Sequence, residues 1–98
     1  MLTKKERIEL RSLASQIKPV VWVGKDGFNE QVINQIDEEL FNHELIKITL
    51  QESVPTLSEF ELGELGTKLS AEVVTAIGRK IVLFRHSEKK GIKHVLNK

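Results

Sequence analysis

The chain has no cysteine, no tyrosine, a single tryptophan and only two prolines in its 98 residues. Without cysteine, disulfides and thiolate metal sites are excluded, and with them the usual framework of a small secreted domain. No apolar run is longer than Val20–Val23 or Ile81–Phe84, far too short to span a bilayer. The first residues carry Lys4, Lys5 and Arg7 with no apolar stretch behind them, so no signal peptide is expected. The expectation is a cytoplasmic domain whose core comes from packing alone. At this length residues 1–98 should form one domain.

What is present in quantity is charge, at 30% of residues, and it is unevenly placed. Residues 1–27 hold six Lys/Arg against three Asp/Glu, residues 28–72 two against ten, and residues 73–98 seven against one. The net charge of +1 therefore hides two basic ends around an acidic middle. Such asymmetry marks either a polyanion-binding face or an ordinary solvated surface, and charge alone does not choose between them.

Local patterns give the elements. Thr3-x-x-Glu6 is a capping box, and Leu10, Leu13, Ala14 and Ile17 recur at helical spacing, so a helix should run to about Ile17 before Pro19. Val20–Val23 reads as a buried strand. Gly24-Lys25-Asp26-Gly27 breaks it, and Asn29 caps a second helix with a stripe of Val32, Ile33, Ile36 and Leu40. Ile46, Ile48 and Leu50 alternate with Lys47 and Thr49 as a second strand, completing a βαβ unit with an expected right-handed crossover. Thr56-x-x-Glu59 suggests a third helix with Leu62, Leu65 and Leu69, weakened by Gly63 and Gly66. Val73–Ile77 and Ile81–Arg85 form a hairpin about Gly78-Arg79-Lys80. Residues from about 87 to 98 are expected as a basic, flexible tail. The order helix–strand–helix–strand–helix–strand–strand implies a two-layer α/β domain with a four-stranded mixed sheet, of unread strand order.

Two segments share the pattern Gly-x-x-Gly. At Gly24–Gly27 it joins a strand to a helix, where glycine lets a phosphate backbone approach and the helix start offers free N–H groups. At Gly63–Gly66 it lies in an acidic helix among Glu59, Glu61 and Glu64, which would repel phosphate. Only the first has the context of a nucleic-acid loop, of the kind that the RNA-binding KH fold uses. Lys4 and Lys5 on the first helix, and Arg79, Lys80 and Arg85 at the last hairpin, could surround it with positive charge.

Other candidates weigh less. Trp22 could stack on a base, but an apolar strand points to the core. His43, His86 and His94 are far apart and lack ligand spacing, so solvated histidines and no metal are expected. The consecutive Asp37, Glu38 and Glu39 spread around a helix, and Ser53 and Ser58 have no His/Asp partners. No phosphate-loop or dinucleotide fingerprint is present, so neither enzyme activity, cofactor nor small-molecule substrate is expected.

Four motifs in order carry a resemblance: Lys18-Pro19-Val20-Val21, Val23-Gly24-Lys25-Asp26-Gly27, His43-Glu44-Leu45-Ile46-Lys47, and Ile77 through Arg85. Over nearly its whole length the chain resembles the CRM domain, more narrowly the stand-alone bacterial YhbY-type members. The resemblance implies a fold like the C-terminal domain of bacterial translation initiation factor three. It also implies binding to ribosomal RNA in precursors of the large subunit, as a ribosome assembly factor. Carried over by position, Gly24, Lys25, Asp26 and Gly27 would be the RNA loop, with Lys18, Arg79, Lys80 and Arg85 on the surface around it. Trp22, Gly63, Gly66 and His86 depart from the family pattern. A monomer that binds RNA, without catalysis, is the leading expectation. The alternative is a protein-interaction module docking through the acidic middle.

Overall fold

The computed structural model describes residues 2–96. Helix α1 (Lys4–Ala14) starts at the Thr3 capping box, in which Thr3 Oγ1 accepts from Glu6 N–H and Glu6 accepts from Thr3 N–H. Its last turn tightens through i→i+3 bonds, Gln16 N–H to Leu13 and Ile17 N–H to Ala14, so the expected end at Ile17 becomes a turn that is no longer α-helical. Strand β1 (Val21–Val23) leads to helix α2 (Glu30–His43), which Asn29 caps by accepting from Val32 N–H. Strand β2 (Leu45–Leu50) follows.

Helix α3 (Glu59–Leu69) begins two residues later than expected, at a capping box of Ser58 and Glu61. The reason lies in the flanking apolar residues. With Ser58 as cap, Leu57 and Leu62 take the two positions of a hydrophobic staple, and both pack against the same core cluster. A cap at Thr56 would have put Pro55 in that place. Gly66 inside this helix is buried, and a Cβ there would lie 2.9 Å from the Ala71 carbonyl oxygen. The helix end folds that tightly because Ala71 N–H donates back to Gly66 O.

Strands β3 (Glu72–Ile77) and β4 (Lys80–Phe84) form the hairpin. The two-residue turn Gly78-Arg79 has positive φ at the glycine alone, as in a type II′ turn. The sheet order is β1-β2-β4-β3, with β1 parallel to β2 and the other pairs antiparallel. This is the expected α/β chain with a four-stranded mixed sheet. The strand order follows because the βαβ unit fills one half and the hairpin adds its second strand to β2.

The helices divide between the sheet faces, so the sheet lies between two helical layers where a two-layer arrangement was expected. On one face Ile36 and Leu40 of α2 and Leu65 and Leu69 of α3 pack on Val21, Val23, Ile46, Ile48, Leu50, Ile81 and Leu83. On the other, Leu10 and Ala14 of α1 cover Leu45, Val74, Val82 and Phe84. Alternation along β4, Ile81 and Leu83 one way and Val82 and Phe84 the other, is what a strand buried on both faces requires. A bulge interrupts β3 between Val73 and Thr75, and Arg7 of α1 donates there to the carbonyls of Val73 and Val74.

The segment 87–96, expected to be a frayed tail, is instead docked. Leu96 is buried in the α1-side cluster with Val95 packed against it, and Ser87 is buried. Its anchor is Glu44. That carboxylate accepts from the backbone N–H groups of Ser87 and Val95 at 2.7 and 2.8 Å, while Ser87 Oγ donates to the Phe41 carbonyl. No helix among the described residues is long and apolar enough to cross a membrane.

Candidate nucleic-acid interface

The glycine turn sits where the end of β1 meets the start of α2. Gly27 N–H donates to Gly24 O at 2.9 Å, closing a tight turn across Lys25 and Asp26. Gly27 holds φ at +67°, a left-handed conformation that costs an L residue energy and glycine almost none. Behind the turn, Phe28 and Ile33 bracket the Asn29 cap as a staple and both pack on the core, which fixes the angle at which the chain enters α2. The turn is therefore presented by two anchored elements, with the first-turn N–H groups of α2 beside it. Lys25 and Asp26 at its tip are both exposed.

A second turn supports the first. Gln51 N–H donates to Val23 O, and the Gln51 side chain lies against Gly24, where a Cβ would meet Gln51 Oε1 at 3.2 Å. Arg79 in the β3–β4 turn donates its guanidinium to the carbonyls of Gln51 and Val54, and Leu50 N–H donates to Arg79 O. Arg79 thus ties the hairpin turn to the end of β2, on the rim that carries the glycine turn.

The basic residues singled out from sequence separate into two groups. Lys4, Lys5, Lys18, Lys25 and Lys80 are exposed. Arg79 and Arg85 are half-buried and have protein partners. Arg85 is paired with Asp37 Oδ1 at 2.7 Å and donates to the carbonyls of Asp37 and Leu69, tying β4 to α2 and α3. Lys25 and Lys80 lie at one end of the sheet, since Val23 pairs with Leu50 and Lys80 with Thr49 there. Lys18 precedes β1 at its opposite end, and Lys4 and Lys5 begin α1.

Two features were not legible beforehand. Trp22, expected in the core, is 58% exposed. Its strand is at the sheet edge, its neighbours Val21 and Val23 take the buried face, and α1 does not cover the other. A run of four apolar residues conceals this alternation. The second feature is Glu44, fully buried with φ at +64°. Two of the three histidines expected to be solvated converge on it: His94 Nδ1 lies 2.8 Å and His86 Nδ1 3.6 Å from Oε2, and their rings stack 4.6 Å apart at 9°. One ligand atom from each of Glu44, His86 and His94 lies within 4.8 Å of the others, a grouping that the spacing of the histidines in the sequence did not suggest. Burial pushes the Glu44 carboxyl up, but the backbone N–H bonds from Ser87 and Val95, then the His94 bond and charge, outweigh it and hold the group below its ordinary value.

The fold and turn define a small α/β domain built to present a glycine turn beside a helix start. The family model of the CRS1 / YhbY (CRM) domain matches residues 2–85, and the chain belongs to that family. It is 37% identical over 90 residues to the Bacillus subtilis protein named "Probable RNA-binding protein YqeI", covering 91% of this chain and 93% of that one. It is 39% identical over 89 residues to "Probable RNA-binding protein MJ0652" of Methanocaldococcus jannaschii; that match covers 89% of this chain but only 66% of the archaeal protein. The solution structure of Staphylococcus aureus SAV1595, proposed to bind RNA, superposes with a TM-score of 0.69 at 40% identity, covering 92% of this chain and 94% of that one.

Proposed function

We propose that this protein is a non-catalytic RNA-binding factor that associates with ribosomal RNA in precursors of the large subunit, acting as a cytoplasmic monomer in ribosome assembly. The observation that carries the RNA contact is the turn Gly24–Gly27, closed by its own hydrogen bond and held between the end of β1 and the start of α2. Such a turn admits a sugar-phosphate backbone, and Lys25 beside it supplies the countercharge. Membership of the CRM family and relatives named for RNA binding support the same reading. The ribosomal target and the assembly role rest on the family resemblance.

In this reading Lys25, Lys80, Lys18, Lys4 and Lys5 are the mobile cations that neutralise phosphates, while Asp26 limits how the backbone lies on the turn. Arg79 and Arg85 contribute mainly by holding the turn and the hairpin in place, since their guanidinium groups already have carbonyl and carboxylate partners. Affinity should come chiefly from phosphate contacts and fall with salt.

The test is a titration of protein-free large-subunit ribosomal RNA with the wild type and with Lys25→Glu. Binding at low salt that the substitution weakens strongly supports the reading. Absence of binding by the wild type, or binding indifferent to the substitution, overturns it.

A further inference from the structure

On the face that α1 partly covers, the register places Trp22 beside Thr49, Thr49 beside Lys80, and Lys80 beside Ile77. Paired residues in neighbouring strands point to the same side, about 5 Å apart, so these four form one row across all four strands. The row lies at the sheet end that carries the glycine turn, two residues beyond Trp22. Rows further along the same face are covered: Val82 and Phe84 lie under α1, and Leu45 and Leu96 join the same cluster. Among the described residues, the members of the end row other than Thr49 stand open. Trp22 is 58% exposed, Ile77 75% exposed, and Lys80 exposed between them.

Its composition argues for a particular occupant. An exposed indole on a short edge strand offers a π-face of the size of a nucleobase. Lys80 in the row and Lys47 one step along β2 carry positive charge, and no carboxylate belongs to the row. Thr49 at its centre is half-buried, and its Oγ1 has no hydrogen-bond partner among the described residues. A protein partner for two such apolar residues would be matched by apolar surface around them; here lysines stand in those places. The charge complementarity is to a polyanion with exposed bases.

We infer that this row is a stacking site for an unpaired RNA base, with Trp22 as the platform and Lys80 and Lys47 meeting the flanking phosphates. The inference rests on the RNA reading above and deepens it. A strand whose backbone is gripped at Gly24–Gly27 would continue across the open row, laying a base on Trp22. A duplex has its bases already stacked and cannot use the platform. The protein should therefore prefer single-stranded segments, loops or ends.

Trp22 is the only tryptophan and the chain has no tyrosine, so its intrinsic fluorescence reports this site alone. Wild-type protein is titrated with an oligoadenylate of about twelve nucleotides, with a duplex RNA of equal length, and with protein-free large-subunit ribosomal RNA. The expected result is quenching by the oligoadenylate and little by the duplex. Trp22→Ala should weaken oligoadenylate binding about 5-fold or more, and Trp22→Phe should restore much of it, as stacking requires. Parallel melting curves establish that both variants fold.

Quenching of equal size by duplex, or affinity unchanged in Trp22→Ala, overturns the platform. So does ribosomal RNA binding that depends on Lys25 while Trp22 fluorescence stays constant; in that case the glycine-turn reading survives alone. Absence of binding to all three RNAs overturns both. Fluorescence and sedimentation that change with protein concentration without RNA would show that a second copy covers the row, which also overturns the inference.

Discussion

Glu44 and His94 are separated by fifty residues in the chain and meet at 2.8 Å, carboxylate to imidazole, at the point where the C-terminal segment joins the domain. The contact matters because Glu44 is the left-handed residue between α2 and β2, and its own carbonyl accepts from Arg85 N–H at the end of β4. One buried side chain therefore fixes a helix end, a strand end and the segment 87–96 together.

Glu44→Gln is expected to loosen that junction. A carboxylate accepts at both oxygens, whereas an amide presents two donors toward one of the N–H groups it should receive. Leaving a buried donor unmatched costs about 1–3 kcal/mol. Urea unfolding should show a loss of that size, and amide exchange should rise most at Ser87 and Val95.

Acid should act on the same contact. The folded state holds the Glu44 carboxyl below its ordinary value, so the folded state binds its proton less readily than the unfolded chain does. The stabilisation is complete above the unfolded value and is lost as pH falls through the folded one. His94 and His86 face the carboxylate, and a protonated imidazole strengthens the pairing while Glu44 remains ionised. Protection of the Ser87 and Val95 N–H groups, measured against their intrinsic exchange rates, should therefore fall on acidification below the usual carboxylate range, and Glu44→Gln should remove that step.

The two glycines of α3 should respond oppositely to alanine. At Gly63 nothing lies within 4 Å of a new Cβ, so the helix should gain about 0.5–1 kcal/mol. At Gly66 the new atom meets a backbone oxygen at 2.9 Å, and the resulting shift should cost about 1–3 kcal/mol. Melting temperatures of the two variants should move in opposite directions.

Arginine and lysine near the last strand should separate in the same manner. Arg85→Ala removes the guanidinium that joins β4 to Asp37 and to the Leu69 carbonyl, and should lower stability by about 1–3 kcal/mol. Lys80→Ala should leave stability within about 0.5 kcal/mol. It should instead weaken RNA binding and reduce the salt slope of affinity by about one, measured across a series of salt concentrations.

How much of this was legible in the sequence depended on the range of the interaction. The Thr3 and Asn29 caps act over three residues, and both were read correctly because the partner is close in sequence. The α3 start was misplaced because two cap patterns overlap there, and the choice between Thr56 and Ser58 depends on where Leu57 packs. Trp22 was misplaced because exposure at an edge strand is decided by whether α1 reaches it, a property of tertiary packing. Glu44, His86 and His94 were unremarkable in the sequence since nothing local indicates that the chain returns after β4. The glycine turn was found because its requirements are local: a strand before it, a helix cap after it and a glycine at the left-handed position. The partners that occupy Arg79 and Arg85 are carbonyls and a carboxylate from distant segments, which composition does not register.

Leu2 and Leu96 line one hollow together with Phe84, at the sheet end where Phe84 pairs with Leu45. The glycine turn and the Trp22 row are at the opposite end. Leu2 and Leu96 of the described chain thus lie at the sheet end opposite the glycine turn. A short linker joining them should yield a circular permutant with an intact glycine turn. Such a linkage would lie away from the glycine turn and leave the β1–α2 junction untouched.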